Sequence, residues 1–248
     1  MSSLVAMNSK CPLVLSSIAI VLLTVVLYWD RATGRLDIRA PTSISHPKHR
    51  TYTTTFSLAE DPISEGDNWI GGRTVGLDWS NIQTTPAHAY GAVLTPGNYN
   101  DPTALLTGSW GANQTAEATV YSTIQSDTDY DEVELRLRSA LSAHVCTGYE
   151  IDFRVSSSPK AYLAIVRWNG ALGNFTYLVT YRGSRYGVSN GDVIKASMVG
   201  TTITVYKNGI QIGGATDHTY ATGAPGIGMD GPIGTNRNWG FSSFTASD

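Results

Sequence analysis

The sequence predicts an all-β fold, a sandwich or barrel of antiparallel strands, on three observations. Apolar and polar residues alternate at period two through most of the chain after Thr53; turn signals recur between these runs; and no segment after residue 50 carries a helical apolar stripe. With 248 residues, 15% charged and 10% aromatic, the chain has the size of one large domain or two small ones, and it is too apolar for disorder. A net charge of −3 leaves no basic excess, so no nucleic acid partner is expected.

The first element expected is not a strand. Pro12 to Trp29 is 18 residues without a charge, short for a membrane-spanning helix and long for the core of a signal peptide. Lys10 precedes the run, Tyr28 and Trp29 suit a membrane–water interface, and no small-x-small cleavage site follows before Asp30 and Arg31. Residues 1–29 are therefore expected to form a hydrophobic helix, either an uncleaved signal anchor or a cleaved signal peptide. The protein is expected to be extracytoplasmic, membrane-anchored through residues 11–29 or secreted. Arg31, Arg35 and Arg39 outnumber Lys10 on the far side of the run, which leaves its orientation open. Residues 30–52 hold Pro41, Ser43, Ser45, Pro47 and several basic residues without an apolar period, and read as a linker or stem. Residues 53–248 form the globular domain.

Within that domain the strands read in order. In DEVELRLRS, Val133, Leu135 and Leu137 alternate with Glu132, Glu134, Arg136 and Arg138. The stretch SALSAHVC, Ser139 to Cys146, is ambiguous. GYEIDFRVS sets Tyr149, Ile151, Phe153 and Val155 against Glu150, Asp152 and Arg154. AYLAIVRW and NFTYLVTYR are apolar on both faces, as central strands are. Asn208-Gly209, between Ile203–Lys207 and Ile210–Ile212, predicts a two-residue hairpin, because a type I′ turn needs positive φ at both central residues.

These runs, with NGDVIKASMVGTTITVYKNGIQIGGATDHTYATGAPGIGMDG and a closing WGFSSFTASD, resemble the concanavalin A-like lectin/glucanase superfamily, and within it the laminin-G-like jelly-roll domains. The motifs that carry the resemblance are Gly191-Asp192-Val193-Ile194, Gly200 to Gly209, Ala215-Thr216-Asp217 and Gly223 to Gly226, with Phe56 and Trp69 in the opening strand. They are mostly turn and core positions, so they imply the fold, an antiparallel jelly-roll β-sandwich, more than an activity. The resemblance also implies that a structural calcium can accompany the fold; Asp61, Asp67, Asp217, Asp230 and Asp248 are the oxygen donors available to it.

No catalytic constellation emerges. The glucanases of that superfamily resemble one another in E-x-D-x-x-E, which Asp129 to Glu134 does not match; Glu134-Leu135-Arg136 faintly echoes a lyase motif. Gly187 to Gly191 reads G-x-S-x-G, but a strand rather than a helix follows, so Ser189 is a turn residue. The histidines lack metal-ligand spacing, and Cys146 is a buried hydrophobe. Binding candidates are Trp110 in GSWGAN, as an exposed stacking platform; Glu134, Arg136 and Arg138, which share a face; Tyr149; and Tyr181 and Arg182 in YRGSRY. The shared face has a second reading, an ion-pair ladder with Glu150, Asp152 and Arg154. Asn113 and Asn174 head glycosylation sequons. The function expected is an extracytoplasmic, non-catalytic recognition domain for carbohydrate or another surface ligand. The alternatives are a polysaccharide-active hydrolase or lyase with an atypical site, and a structural or adhesive surface protein.

Overall fold

The computed structural model describes residues 26–30, 35–39, 49–93, 100–127 and 130–248. Among them every strand pairing is antiparallel. The chain divides into two units, Met1–His46 and Pro47–Asp248. In the first, β1 (Val26–Asp30) pairs with β2 (Arg35–Arg39), Tyr28 opposite Asp37. This corrects two expectations. The last four residues of the apolar run, Val26 to Trp29, are strand rather than helix, and the expected linker contains a strand. The reason is local: Val, Tyr and Trp favour strands, and Leu36 and Ile38 alternate with charged neighbours. Cys11 and the rest of the apolar run lie outside the described residues, among which no helix is long and apolar enough to cross a membrane.

The second unit is a sandwich. Across its first sheet the order is β12 (Phe175–Arg182), β11 (Tyr162–Gly170), β10 (Val145–Arg154), β9 (Glu132–Ser142), β16 (Ala224–Asp230), β7 (Thr103–Leu106), β4 (Trp69–Gly71). The second runs β15 (Ile210–Thr216), β14 (Thr202–Lys207), β13 (Val193–Val199), β8 (Gln114–Ser122), β18 (Trp239–Ser247), β6 (His88–Val93), β17 (Gly234–Thr235). In it β3 (Thr51–Thr54) pairs with β18, and β5 (Ile82–Thr85) with β6.

The core follows from the alternation. Val133, Leu135, Leu137, Tyr149, Ile151 and Phe153 face Ala116, Ala118, Val120, Phe241 and Phe244 of the other sheet. At about 25 cal/mol per Å² of apolar area, this layer is the main stabilising element. The ambiguous stretch ends β9, turns at Ala143 and His144 with His144 at φ 60°, and opens β10. The Asn208-Gly209 hairpin is present, both residues at positive φ (51° and 78°), and the Asn208 carboxamide accepts from Val193 N at 2.8 Å and donates to Asp192 at 2.7 Å. One expectation fails: NFTYLVTYR is not a central strand but β12, the edge of the first sheet. Its outward apolar residues, Phe175 and Tyr177, do not meet another layer; they line a cleft.

That cleft lies on the face of the first sheet turned away from the core. Beneath it a second, smaller cluster of Leu77, Trp79, Cys146, Ala164, Val166 and Trp168 supports the floor. Trp79 meets Trp168 edge-on, with ring centroids 4.6 Å apart.

Candidate functional site

The strand register builds the cleft row by row. Asp230 of β16 lies opposite Glu132 of β9, which lies opposite Arg154 of β10. In the next row Gly228, Glu134, Asp152, Ala164 and Thr180 stand side by side across five strands. In the third they are Gly226, Arg136, Glu150, Val166 and Tyr177. One half of the floor is therefore charged and the other small, apolar and aromatic. The cleft has a volume of about 1220 Å³.

Arg136 organises the charged half. It is fully buried, its Nη1 is 2.6 Å from Glu150 Oε2, and its Nη2 bonds Glu134 Oε2 and lies 3.6 Å from Asp101 Oδ2. Its guanidinium also sits 5.2 Å from the Trp79 ring centre, a cation–π contact. Trp168 Nε1 donates to Glu150 Oε2 at 2.6 Å. The arrangement needs glycine opposite: a Cβ on Gly228 would come within 2.9 Å of Arg136 Nε and Nη2.

More carboxylates gather here than Arg136 neutralises. Burial, then repulsion from neighbouring acids, pushes Glu132 and Asp152 well above the ordinary carboxylate range. Burial raises Asp101 and Glu134 likewise, against the pull of Arg136. Asp230 is raised by burial to about 6, although the Gly231 N–H bonds it at 2.7 Å. Asp152 is 5% exposed, and its Oδ1 has no hydrogen-bond partner among the described residues.

The expected binding residues separate. Glu134 and Arg136 lie on the cleft side of the sheet but are buried beneath its lining, and Arg182 is at the rim. Trp110 is not an exposed platform: it is 8% exposed, belongs to the main core, carries the Arg50 guanidinium 4.3 Å from its ring centre and donates to Thr107 O. Its loop folds back because Asp248 accepts from both Gly111 N and Arg50 N. Arg138 is buried and spends its guanidinium on the carbonyls of Ala112, Gly200 and Tyr220. Tyr149 faces the core side, donating to Asp217 Oδ1 at 2.7 Å and accepting from Tyr220 N. Tyr181 turns inward to Gly214 O while its neighbour Arg182 turns to the cleft, as period two requires.

Asp61, Asp67, Asp217, Asp230 and Asp248 do not come together. Among the described residues the acidic oxygens close enough to share one ion, within 4.8 Å of each other, belong to Asp101, Glu134 and Glu150. Arg136 pairs with all three, so a guanidinium already supplies the positive charge there.

Asp101, Tyr130 and Tyr177 carry no distinguishing signal in the sequence, and Asp152 enters there only as a member of the ladder. Asp152 and Trp168 share the outward parity of Glu134, a usable signal. Asp101 had none, since it precedes β7 in an irregular segment.

No family model matches the sequence, and no curated protein matches it. Solved structures do resemble the fold. The potassium-bound carbohydrate recognition domain of Emp46p aligns with a TM-score of 0.51 at 10% identity, over 78% of this chain and 94% of that one. The carbohydrate-binding module CBM66 of Bacillus subtilis aligns at 0.48 and 16% identity, over 75% and 96%. A β-porphyranase of the gut bacterium Bacteroides plebeius aligns at 0.42 and 9%, over 82% and 94%. The sandwich described above shares the concanavalin A-like jelly-roll fold of the Emp46p domain.

Proposed function

We propose that the cleft on the outer face of the first sheet binds carbohydrate. One juxtaposition carries the reading: exposed rings beside buried acids. Tyr177 is 59% exposed and Tyr130 65%, both in the cleft, across from Asp152 with its open Oδ1. A sugar ring offers an apolar C–H face that suits a tyrosine ring and hydroxyl donors that suit a carboxylate. Ala164, Val166 and Thr180 keep the floor between them low enough for a ring to lie on it. The cleft volume exceeds the 300–1,000 Å³ common for small-ligand pockets, a size that suits an oligosaccharide. Beside this geometry, the shared fold with the Emp46p carbohydrate recognition domain is an analogy. The test is binding to a glycan array and to pooled polysaccharides by wild-type protein, Tyr177→Ala and Asp152→Asn. Selective binding by wild type, weakened about tenfold in each variant, is expected; a flat response from folded wild-type protein overturns the reading.

The first reading is recognition without catalysis. A specific observation favours hydrolysis as the second: half-buried Glu132 holds its proton above the ordinary range, beside Asp152 in the same cleft. A protonated carboxyl next to a second acid is what proton donation to a glycosidic oxygen needs. Release of reducing ends that disappears in Glu132→Gln while binding persists would establish it. The apolar run Pro12–Trp29 motivates an extracytoplasmic, tethered or secreted setting, which cell fractionation of the full chain tests.

A further inference from the structure

We infer that the ligand of this cleft is an acidic glycan, one whose sugars carry a uronate carboxylate or a sulfate ester, and that the anionic group seats on Arg182 and Lys160. The inference rests on the carbohydrate reading and names its ligand class. Arg182 ends the edge strand β12 with its side chain exposed in the cleft. Its guanidinium lies 5.9 Å from the Tyr162 ring centre, and the Arg154 guanidinium lies 5.8 Å from that same ring. Lys160 lines the same end of the cleft and is also exposed. Among the described residues neither Arg182 nor the Lys160 amino group has an ion pair, whereas Arg136 has three and Arg167 and Lys195 have one each. Arg182 against the Tyr162 ring and Lys160 on the same concave surface, neither in an ion pair among the described residues, form a receptor for an anion carried on a sugar. Arginine offers the planar fork that matches a carboxylate or sulfate, and lysine a point charge beside it.

The acids of the floor do not cancel this attraction. The lining acids nearest to Arg182, Glu150 and Asp152, lie on β10, two strands from β12. At about 4.8 Å per strand that separation is roughly 10 Å, longer than the screening length of about 8 Å at physiological salt. Arg136 also neutralises part of the cluster where it stands. The cleft is thus polarised along the sheet: an anion-accepting rim at β12, and a floor of hydroxyl acceptors at β9 and β10.

The experiment uses the full chain and two matched pairs of polymers, polygalacturonate against its fully methyl-esterified form and dextran sulfate against dextran. Affinity is read for wild type, Arg182→Ala, Lys160→Ala and the double variant; both residues are exposed, and circular dichroism confirms that the variants fold. The charged member of at least one pair is expected to bind about tenfold tighter or more. That preference should be lost in the double variant and weakened in about 0.5 M NaCl, where screening shortens to about 4 Å. The pair that responds identifies the anion as uronate or sulfate. Equal affinity for both members of each pair, or a preference that survives in the double variant, overturns the inference. If neutral glycans still bind in that case, the carbohydrate reading stands; if no glycan of any kind binds folded protein, both fall.

Discussion

Arg136 on β9 reaches Glu150 on β10 across one row of the first sheet, Nη1 to Oε2 at 2.6 Å, and the two residues are 0% and 5% exposed. A fully buried guanidinium is held only because acids surround it on three sides. Removing it leaves buried carboxylates without a counter-charge. Arg136→Met is therefore expected to destabilise the protein by about 3–5 kcal/mol at pH 7, the usual cost of breaking a buried pair from one side. The loss should shrink near pH 5, where the orphaned acids can take up protons. Urea unfolding at the two pH values measures it, and an equal loss at both would contradict the electrostatic account.

The same cluster sets a pH dependence. Asp230 has its folded pKa raised from 3.8 to about 6, so between these values the folded state binds more protons than the unfolded one. Its contribution is fully present below about pH 4 and is lost as pH rises through 6. Glu132 and Asp152, also raised, act in the same direction. Asp217 acts oppositely. Burial alone would raise it, but bonds from Tyr149, the Thr219 N–H and Arg167 outweigh burial and hold it at about 2. Its contribution is present above about pH 4 and lost as pH falls toward 2. Thermal unfolding should therefore show greater stability at pH 5 than at pH 8, with a further fall below pH 3. Asp230→Asn should flatten the first trend and Asp217→Asn the second.

Gly228 tests the packing beneath the charges. A methyl group there would meet Arg136 Nε and Nη2 at 2.9 Å and would crowd Glu134, neither of which can retreat into solvent. Gly228→Ala is expected to cost about 1–3 kcal/mol, as overpacking does, even though Gly to Ala in a strand is otherwise mildly favourable. Calorimetry of the variant decides; a gain in stability would mean that Arg136 has somewhere to move.

What the sequence made legible was the alternation, and with it both faces of β9 and β10. The row Glu134, Arg136, Glu150 and Asp152 was visible as one polar face, and the ladder reading of it is close to what the structure holds. Period two does not say which layer covers a face. For that reason the apolar run of β12 reads as central, although the strand is an edge: Tyr177 lines the cleft and Phe175 packs on the small outer cluster. Arg138 has the parity of Arg136, yet its positive φ of 45° beside the irregularity at Thr147/Tyr149 redirects it to backbone carbonyls. Trp110 misled because a Gly-flanked Trp in a polar segment reads as exposed. The contacts that bury it, from Arg50 and the loop tied to Asp248, lie far away in sequence.

Trp110 and Tyr177 form the sharpest contrast that follows. Both are aromatic residues in polar surroundings, but the first is 8% exposed and inside the core, and the second is 59% exposed in the cleft. Trp110→Ala should open a cavity, release the Arg50 contact and cost about 3–5 kcal/mol. It should leave glycan affinity unchanged at temperatures where the protein stays folded. Tyr177→Ala removes a largely exposed ring whose edge-on contact with Phe175 is at the surface, so stability should fall by no more than about 1 kcal/mol. Affinity should fall by roughly tenfold, the size of a lost stacking contact of about 1–1.5 kcal/mol. Measuring the melting temperature and the dissociation constant of both variants separates packing from recognition. If Tyr177→Ala binds glycan as wild type does, this ring is not a platform and the cleft holds its ligand through its other lining residues.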